Sequence, residues 1–213
     1  MPAWTLAHAL LDAVLPLECG GCGAPQTRWC QACAAALRVH TDEPLVVSPR
    51  IDPGAPVFAL GRYAGPRRRA IVALKEHGRR DLVAPLAAAL ADGTHRLAGW
   101  GILTPDPTVV PAPTRRLAAR RRGGDPVTRI AAAAGLRVVP ALRTAALVRD
   151  STGLSSAARE RNIAGRVRLT RRPAGEVLLV DDVLTTGATA REAVRTLAAA
   201  GVGVAAVLVI AHA

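Results

Sequence analysis

The chain has 213 residues, of which 50% are hydrophobic and 21% are charged, so we expect one folded domain with a small appendage and exclude a disordered chain. Its 28 basic and 16 acidic residues give a formal charge of +12, which suits a polyanionic partner. Only one of the basic residues is lysine, however, and a chain-wide bias towards arginine would give the same net charge without any such partner. Three Trp, one Tyr and one Phe leave no interleaved aromatic and basic stretch for stacking single-stranded bases, and no apolar run is long enough to span a membrane.

The apolar first 17 residues precede a cysteine, an arrangement that resembles a lipoprotein signal. They lack a basic start, carry Asp12, and have Glu18 where a small residue precedes the cleavage point in such signals. Leu6, Leu10 and Val14 recur at helical spacing. We therefore expect a short amphipathic helix packed on the rest of the protein, and a cytoplasmic location.

All four cysteines lie in one short segment. The pairs Cys19-x-x-Cys22 and Cys30-x-x-Cys33 are separated by seven residues. Each pair directs two thiolates at one point, and the glycines around the first pair allow the tight turn that this requires. The spacing predicts a structural zinc ion in an N-terminal zinc-ribbon module at residues 1–48. The alternatives are two disulfides, which a cytoplasmic location disfavours, and a redox pair, which belongs at a helix start instead of in glycine-rich turns.

Strand and helix patterns alternate after a linker rich in Pro, Asp and Gly at residues 41–56. The pattern predicts, in order, a strand at 57–63, helices at 66–77 and 81–91, a strand at 108–110, a helix at 126–134, a strand at 136–139, a long polar loop at 143–165, a strand at 177–180, a helix at 189–200 and a strand at 202–210. Such alternation is typical of an α/β fold with a mainly parallel sheet flanked by helices. We expect this domain to span residues 55–213.

The most informative segment is Val177-Leu-Leu-Val-Asp-Asp-Val-Leu-Thr-Thr-Gly-Ala-Thr189, in which a buried strand leads into two acids, a turn and a helix. A helix N-terminus binds phosphate through its backbone amides, and Gly187 lets that backbone approach the anion. Asp181 and Asp182, at the carboxyl end of a strand, suit the vicinal hydroxyls of a ribose. The segment therefore predicts a ribose phosphate site, provided that its turn faces an open cleft and its acids are free of internal ion pairs. The alternative is an acidic strand end that only caps a helix.

This segment resembles the motif D-D-x-x-T-T-G-x-T with which type I phosphoribosyltransferases bind 5-phosphoribosyl 1-diphosphate (PRPP). The wider chain is similar to the ComF family, which combines a four-cysteine ribbon with such a domain. Its other matching positions are Leu74-Lys75, Pro111-Ala112-Pro113, Arg122-Gly123, and Arg159 with Asn162. The chain departs from the family at Gly124-Asp125-Pro126, where F-N-Q is usual, and at Ser151, where glutamine is common. Both departures lie away from the phosphate-binding turn. They bear on which acceptor the chain would use and on whether it is a catalyst, and not on PRPP binding.

The resemblance implies a type I phosphoribosyltransferase-like fold and a set of site residues. Asp181 and Asp182 would be the catalytic residues that hold the ribose hydroxyls. The pyrophosphate of PRPP, with Mg²⁺, would follow Val110, where Arg115, Arg116 or Arg122 would neutralise it. The implied substrate-binding residues are Thr185, Thr186, Gly187, Ala188, Thr189, Arg115, Arg122, Lys75 and Arg159. In so arginine-rich a chain, the alternative for each Arg is a solvated surface charge.

Two classes of function follow from this resemblance. As an enzyme, the chain would transfer the phosphoribosyl group to an acceptor and release pyrophosphate, and the family's association with DNA uptake in competence would link that reaction to DNA. As a binding module, it would sense PRPP without turnover and engage single-stranded DNA or a DNA-processing protein through its zinc segment and basic surface, and the family's association with DNA uptake favours this version. A salvage enzyme for purines or pyrimidines ranks last, because such enzymes need no cysteine ribbon.

Overall fold

A computed structural model of the chain describes residues 17–113, 124–145 and 165–213. Strands and helices alternate along most of these ranges. The strands are β1 (Leu45–Val46), β2 (Val57–Ala59), β3 (Thr108–Pro111), β4 (Arg137–Val138), β5 (Leu142–Thr144), β6 (Val167–Leu169), β7 (Val177–Leu184) and β8 (Val204–His212). The helices are α1 (Gln31–Leu37), α2 (Gly65–Glu76), α3 (Val83–Gly99), α4 (Pro126–Ala133) and α5 (Ala188–Ala198), with a 3-10 helix at Arg80–Leu82.

Six strands form the central sheet in the order β1-β2-β8-β7-β3-β4. All neighbours in it are parallel except β1, which pairs antiparallel with β2. Strands β5 and β6 form a separate antiparallel pair. The prediction of an α/β fold with a mainly parallel sheet flanked by helices is confirmed, with a four-cysteine cluster near the N-terminus.

The sheet is buried on both faces, as the continuous apolar runs of β7 and β8 require. Successive residues of a strand point to opposite faces, so Leu178 packs in the cluster with residues of α3 and α4, while Leu179 packs in the cluster with residues of α5. The pair β5–β6 adds residues to the second cluster. Helices therefore cover both sides of β7 and hold its carboxyl end in place.

Several element boundaries differ from the predicted ones. Helix α3 extends to Gly99 because Gly93 does not break it: a Cβ at Gly93 would overlap the side chain of Leu60, so glycine is needed there for close packing. The predicted linker contains β1, which joins the sheet, and also the buried Ile51. Strand β7 runs on to Leu184, so both of its aspartates are strand residues. The predicted N-terminal helix and most of the predicted polar loop lie outside the described residues.

Candidate functional site

The carboxyl ends of β3 and β7 lie side by side at one edge of the sheet. From β3 the chain crosses through α4 to β4, whereas from β7 it crosses through α5 to β8 on the other side. The pairing of β3 with β7 ends at Pro111 and Val180. Where two crossovers leave a parallel sheet in opposite directions, a crevice opens outside the strand ends, and ligands bind there. The acid pair and the turn that the sequence singles out therefore lie at the strand ends beside this crossover point.

Asp182 is held in an ion pair at this edge. The Nζ atom of Lys75, near the end of α2, lies 2.8 Å from Oδ1 of Asp182. The side chains are 26% and 13% exposed, so water screens the pair only in part. Burial lowers the pKa of Lys75, but the charge and hydrogen bond of Asp182 and the charge of Asp181 outweigh burial and raise that pKa. Lys75 is therefore a firmly protonated partner of Asp182.

Asp181 has a different environment from its neighbour. Its Oδ1 accepts a hydrogen bond of 2.8 Å from the backbone N–H of Asp182. Burial and the negative charge of Asp182 raise the pKa of Asp181 to about 8, against the opposing charge of Lys75. The carboxylate of Asp125, the residue that caps α4, raises this pKa further. At neutral pH Asp181 therefore retains its proton, whereas Asp182 lies in the ion pair with Lys75.

The turn after β7 leads into α5 through a left-handed glycine. Gly187 is the N-cap of α5, with φ of 89°, a conformation that side chains with a Cβ rarely adopt. Thr185 is exposed, Thr186 and Ala188 are buried, and Thr189 is partly buried. The backbone N–H of Ala188 donates to Oγ1 of Thr186 at 3.4 Å. The motif thus folds into the strand, turn and helix that the sequence predicts.

Residues 48–54, which we name the strap, cross the start of α5. The backbone N–H of Ile51 donates to the carbonyl oxygen of Thr186 at 2.9 Å. A Cβ added to Gly187 would overlap the carbonyl oxygen of Ile51 and lie 3.0 Å from Cβ of Pro49. The strap therefore covers Thr186 and Gly187. In this conformation neither requirement of the sequence interpretation holds fully, because the turn is partly closed and Asp182 has an internal partner.

The four cysteines converge on one point. Their Sγ atoms all lie within 4.8 Å of one another, and all four are free thiols. Burial raises the pKa of Cys19, but hydrogen bonds from backbone N–H groups, including those of Cys30 and Gly21, outweigh burial and lower this pKa to about 6. Burial and the neighbouring thiols raise the pKa of Cys33. The cluster is thus arranged to bind a metal ion, with one sulfur already stabilised as a thiolate.

The cysteine segment is attached to the α/β domain through α2 and the 3-10 helix. Nη1 of Arg69 donates to the carbonyl oxygen of Gly21 at 3.1 Å, and Nη2 of Arg79 donates to that of Arg28 at 3.3 Å. The turn between the first two cysteines also packs tightly on the apolar side chain of Leu82. The segment is therefore bound to the body of the protein by both polar and apolar contacts.

The structure brings together some of the predicted site residues and leaves others undetermined. Lys75, the two aspartates and the turn at 185–189 meet at one edge of the sheet. Arg115, Arg116, Arg122 and Arg159 lie outside the described residues. Sequence reasoning missed Ile51, because no motif marks it, and it recognised Asp125 only as a helix cap.

Similarity and membrane topology add two further findings. The sequence matches no protein-family model and no curated protein. Within the described ranges, no helix has both the length and the apolar character that crossing a bilayer requires. The resemblance to phosphoribosyltransferases and to the ComF family therefore stays a prediction.

Proposed function

We propose that this chain is a ComF-type member of the type I phosphoribosyltransferases, which binds PRPP at the edge formed by β3 and β7. The observation that carries the proposal is the placement of two adjacent acids and a glycine turn at a crossover point of a parallel sheet. The acids end a buried strand and the turn starts a helix, which is the arrangement that the predicted ribose phosphate site needs.

The two acids could make different hydrogen bonds to the two hydroxyls of the ribose ring. Asp181, with a pKa raised to about 8, keeps a proton at neutral pH and can donate it to one hydroxyl oxygen, while the ionised Asp182 accepts a hydrogen bond from the other. A hydrogen bond to an ionised group is stronger than a neutral one. The two acids would thus fix the orientation of the ring.

The reaction that fits this arrangement is transfer of the phosphoribosyl group with release of pyrophosphate. The bond from C1 of the ribose to the pyrophosphate oxygen breaks, its electrons leave with pyrophosphate, and a nucleophile on the acceptor forms the new bond to C1. Positive charge develops on the ring during this step. The carboxylate of Asp182 would stabilise that charge electrostatically, which is how fixed charges aimed at a transition state contribute to catalysis. Lys75, once its ion pair with Asp182 opens, would interact with anionic oxygens of the substrate.

Magnesium fits this proposal as a companion of the substrate. Mg²⁺ prefers carboxylate and phosphate oxygens, and it neutralises the charge of a departing pyrophosphate. Among the described residues, the cysteine cluster is the one group of three or more His, Cys, Asp or Glu side chains that converge as metal ligands do. We therefore expect the described acids to hold the sugar and the pyrophosphate itself to bring the magnesium.

Zinc is the metal we propose for the cysteine cluster. Four soft thiolates within 4.8 Å of one another suit tetrahedral zinc, which such ligand sets hold as a structural ion. With all four positions filled by sulfur, no position is left for a substrate. The zinc would stabilise a segment too small to bury a core of its own.

A second candidate function is a PRPP-sensing module without turnover. The strap over Thr186 and the ion pair of Asp182 favour it, because both would rearrange when PRPP binds, and a sensor needs such a change to signal binding. The net charge of +12 would then serve binding of single-stranded DNA or an acidic surface of a DNA-processing protein.

Calorimetry with PRPP and Mg²⁺ tests the proposal. We expect the wild-type chain to bind and Asp182→Asn to lose about tenfold to hundredfold in affinity, because it loses charge-assisted hydrogen bonds worth about 1.5–3 kcal/mol. Asp181→Asn should bind nearly as the wild type does, because its amide still donates to the hydroxyl oxygen. Asp106→Asn is the control, since Asp106 is exposed at the amino end of β3, away from the site. Equal affinity in all four proteins would place any PRPP site elsewhere.

Pyrophosphate release then separates the enzyme from the sensor. Wild-type chain with PRPP and Mg²⁺ is supplied with a panel of purine and pyrimidine bases and with single-stranded DNA. Release that depends on one acceptor and is lost in Asp182→Asn would establish transfer. Binding without acceptor-dependent release would favour the sensor.

A further inference from the structure

The strap, residues 48–54, covers the turn at which the proposed phosphate would bind. The carbonyl oxygen of Ile51 packs against the α-carbon of Gly187, and the N–H of Ile51 donates to the carbonyl of Thr186. A phosphate needs the amide side of this turn and the first turn of α5. Strap backbone packs against Thr186 and Gly187 at the start of α5, so the strap lies next to the space that such a phosphate would fill.

The strap makes one backbone hydrogen bond to the turn and has two buried side chains, Ile51 and Pro53. Its hydrogen bond from Ile51 to Thr186, at 2.9 Å, is the one backbone hydrogen bond between it and the turn within the described part of the chain. The side chain of Ile51 supplies the apolar anchor, since it is only 6% exposed. A segment with few buried contacts and few backbone hydrogen bonds opens more easily than the core of the fold.

The strap is also open to a groove along one flank. Residues 50–54 form one wall of this groove, and Arg191, Val194, Arg195 and Ala198 of α5 form the other. Its volume is about 730 Å³, which is in the range of small-molecule sites. The groove lies between the strap and the flank of α5, so the strap has free space beside it along this helix.

We propose that the strap is a lid that is closed in this structure and swings off the start of α5 to admit the phosphate of PRPP. This inference rests on the proposed function. The closed lid reduces the measured affinity by the fraction of molecules in which it is open, so loosening its anchor should tighten binding. The ligand should also break the Ile51 hydrogen bond while it protects the first amides of α5.

The first test is hydrogen exchange on the wild-type chain, with and without saturating PRPP and Mg²⁺. We expect faster exchange at the amide of Ile51 and slower exchange at the amides of Thr189 and Ala190. The second test is calorimetry on Ile51→Ala, for which we expect PRPP affinity on the order of tenfold tighter than wild type. Val46→Ala is the matched control, because Val46 lies in β1 close to the strap but is 77% exposed. It should bind as the wild type does.

The outcomes separate the lid from the proposed function. If wild type binds PRPP while exchange at Ile51 is unchanged and Ile51→Ala binds no tighter than Val46→Ala, the lid is overturned and PRPP binding stands. If neither the wild type nor folded Ile51→Ala binds PRPP at millimolar concentration, the proposed function fails, and the lid fails with it. Binding by Ile51→Ala alone would support both. The exchange measurement needs no variant, so it holds even if Ile51→Ala does not fold.

Discussion

Replacing Asp181 by asparagine should stabilise the folded chain, and by more as the pH rises. The carboxyl has a pKa raised to about 8 by burial and by the charge of Asp182, compared with 3.8 for an ordinary aspartate. Asparagine has nearly the same volume, and its side-chain oxygen can still accept the hydrogen bond from the N–H of Asp182. The variant therefore removes the ionisation and leaves most of the packing unchanged.

The sign follows from proton linkage. Between pH 4 and pH 8 the folded state keeps the proton on Asp181 and the unfolded state has lost it, so the free energy of unfolding of the wild type falls as the pH rises. The slope for one group is about 1.4 kcal/mol per pH unit. From pH 5 to pH 7 the wild type should lose up to about 3 kcal/mol through this residue, a loss that Asp181→Asn escapes.

The assay is urea unfolding of wild type and variant at pH 5, 6, 7 and 8. Asp182→Asn is the contrasting variant, because it leaves the ammonium of Lys75 without its partner at 2.8 Å. That change should destabilise the chain at pH 7 by about 1–3 kcal/mol, the usual cost of leaving a buried polar group unpaired. A stability difference between Asp181→Asn and wild type that stays constant across this pH range would refute the raised pKa and the different hydrogen bonds to the ribose that were inferred from it.

Two further predictions concern the metal and the core. The purified chain should retain about one zinc ion after exhaustive dialysis, and chelation should lower its Tm. Its four thiols should react slowly until a strong chelator is added. Thiols that react equally fast without the chelator would exclude a bound metal. Gly93→Ala should destabilise the fold by about 1–3 kcal/mol through overlap with Leu60, whereas Gly99→Ala, which points into open space, should be neutral or slightly stabilising. Equal melting curves for the two glycine variants would show that α3 is not packed tightly there.

Local chemistry was enough to predict the central strands and the helices between them, but not β1, β5 or β6. The Asp125-Pro126 start predicts the beginning of α4, and Asp125 indeed caps it, accepting from the N–H of Thr128 at 2.9 Å. Apolar runs flanked by turn residues predict β7 and β8, because an interior parallel strand is buried on both faces. These features depend on residues within a few positions of one another, so the sequence alone carries them.

Features that depend on distant residues escaped the prediction. The helix predicted at 81–91 ends too early, because Gly93 serves as a contact surface for Leu60, which comes from another part of the chain. Lys75 stands out in the sequence as the only lysine, yet nothing local indicates that it pairs with Asp182, more than one hundred positions away. Likewise Ile51 lies in a stretch with the composition of a linker. Tertiary packing determines these contacts, and it turns the predicted open site into a partly closed one.

Helix α2 connects the two candidate sites and gives the cysteine cluster a physical reason to accompany this domain. Near its end Lys75 pairs with Asp182, and earlier in the same helix Arg69 donates to the carbonyl of Gly21 between the first two cysteines. Helix α1, which starts directly after Cys30, also packs on α2. A metal ion bound by all four sulfurs would perform no chemistry on a substrate, but it would make this contact surface rigid. That rigidity would fix the helix from which Lys75 reaches the acid pair, so we expect the cysteine module to act on the candidate site by positioning it.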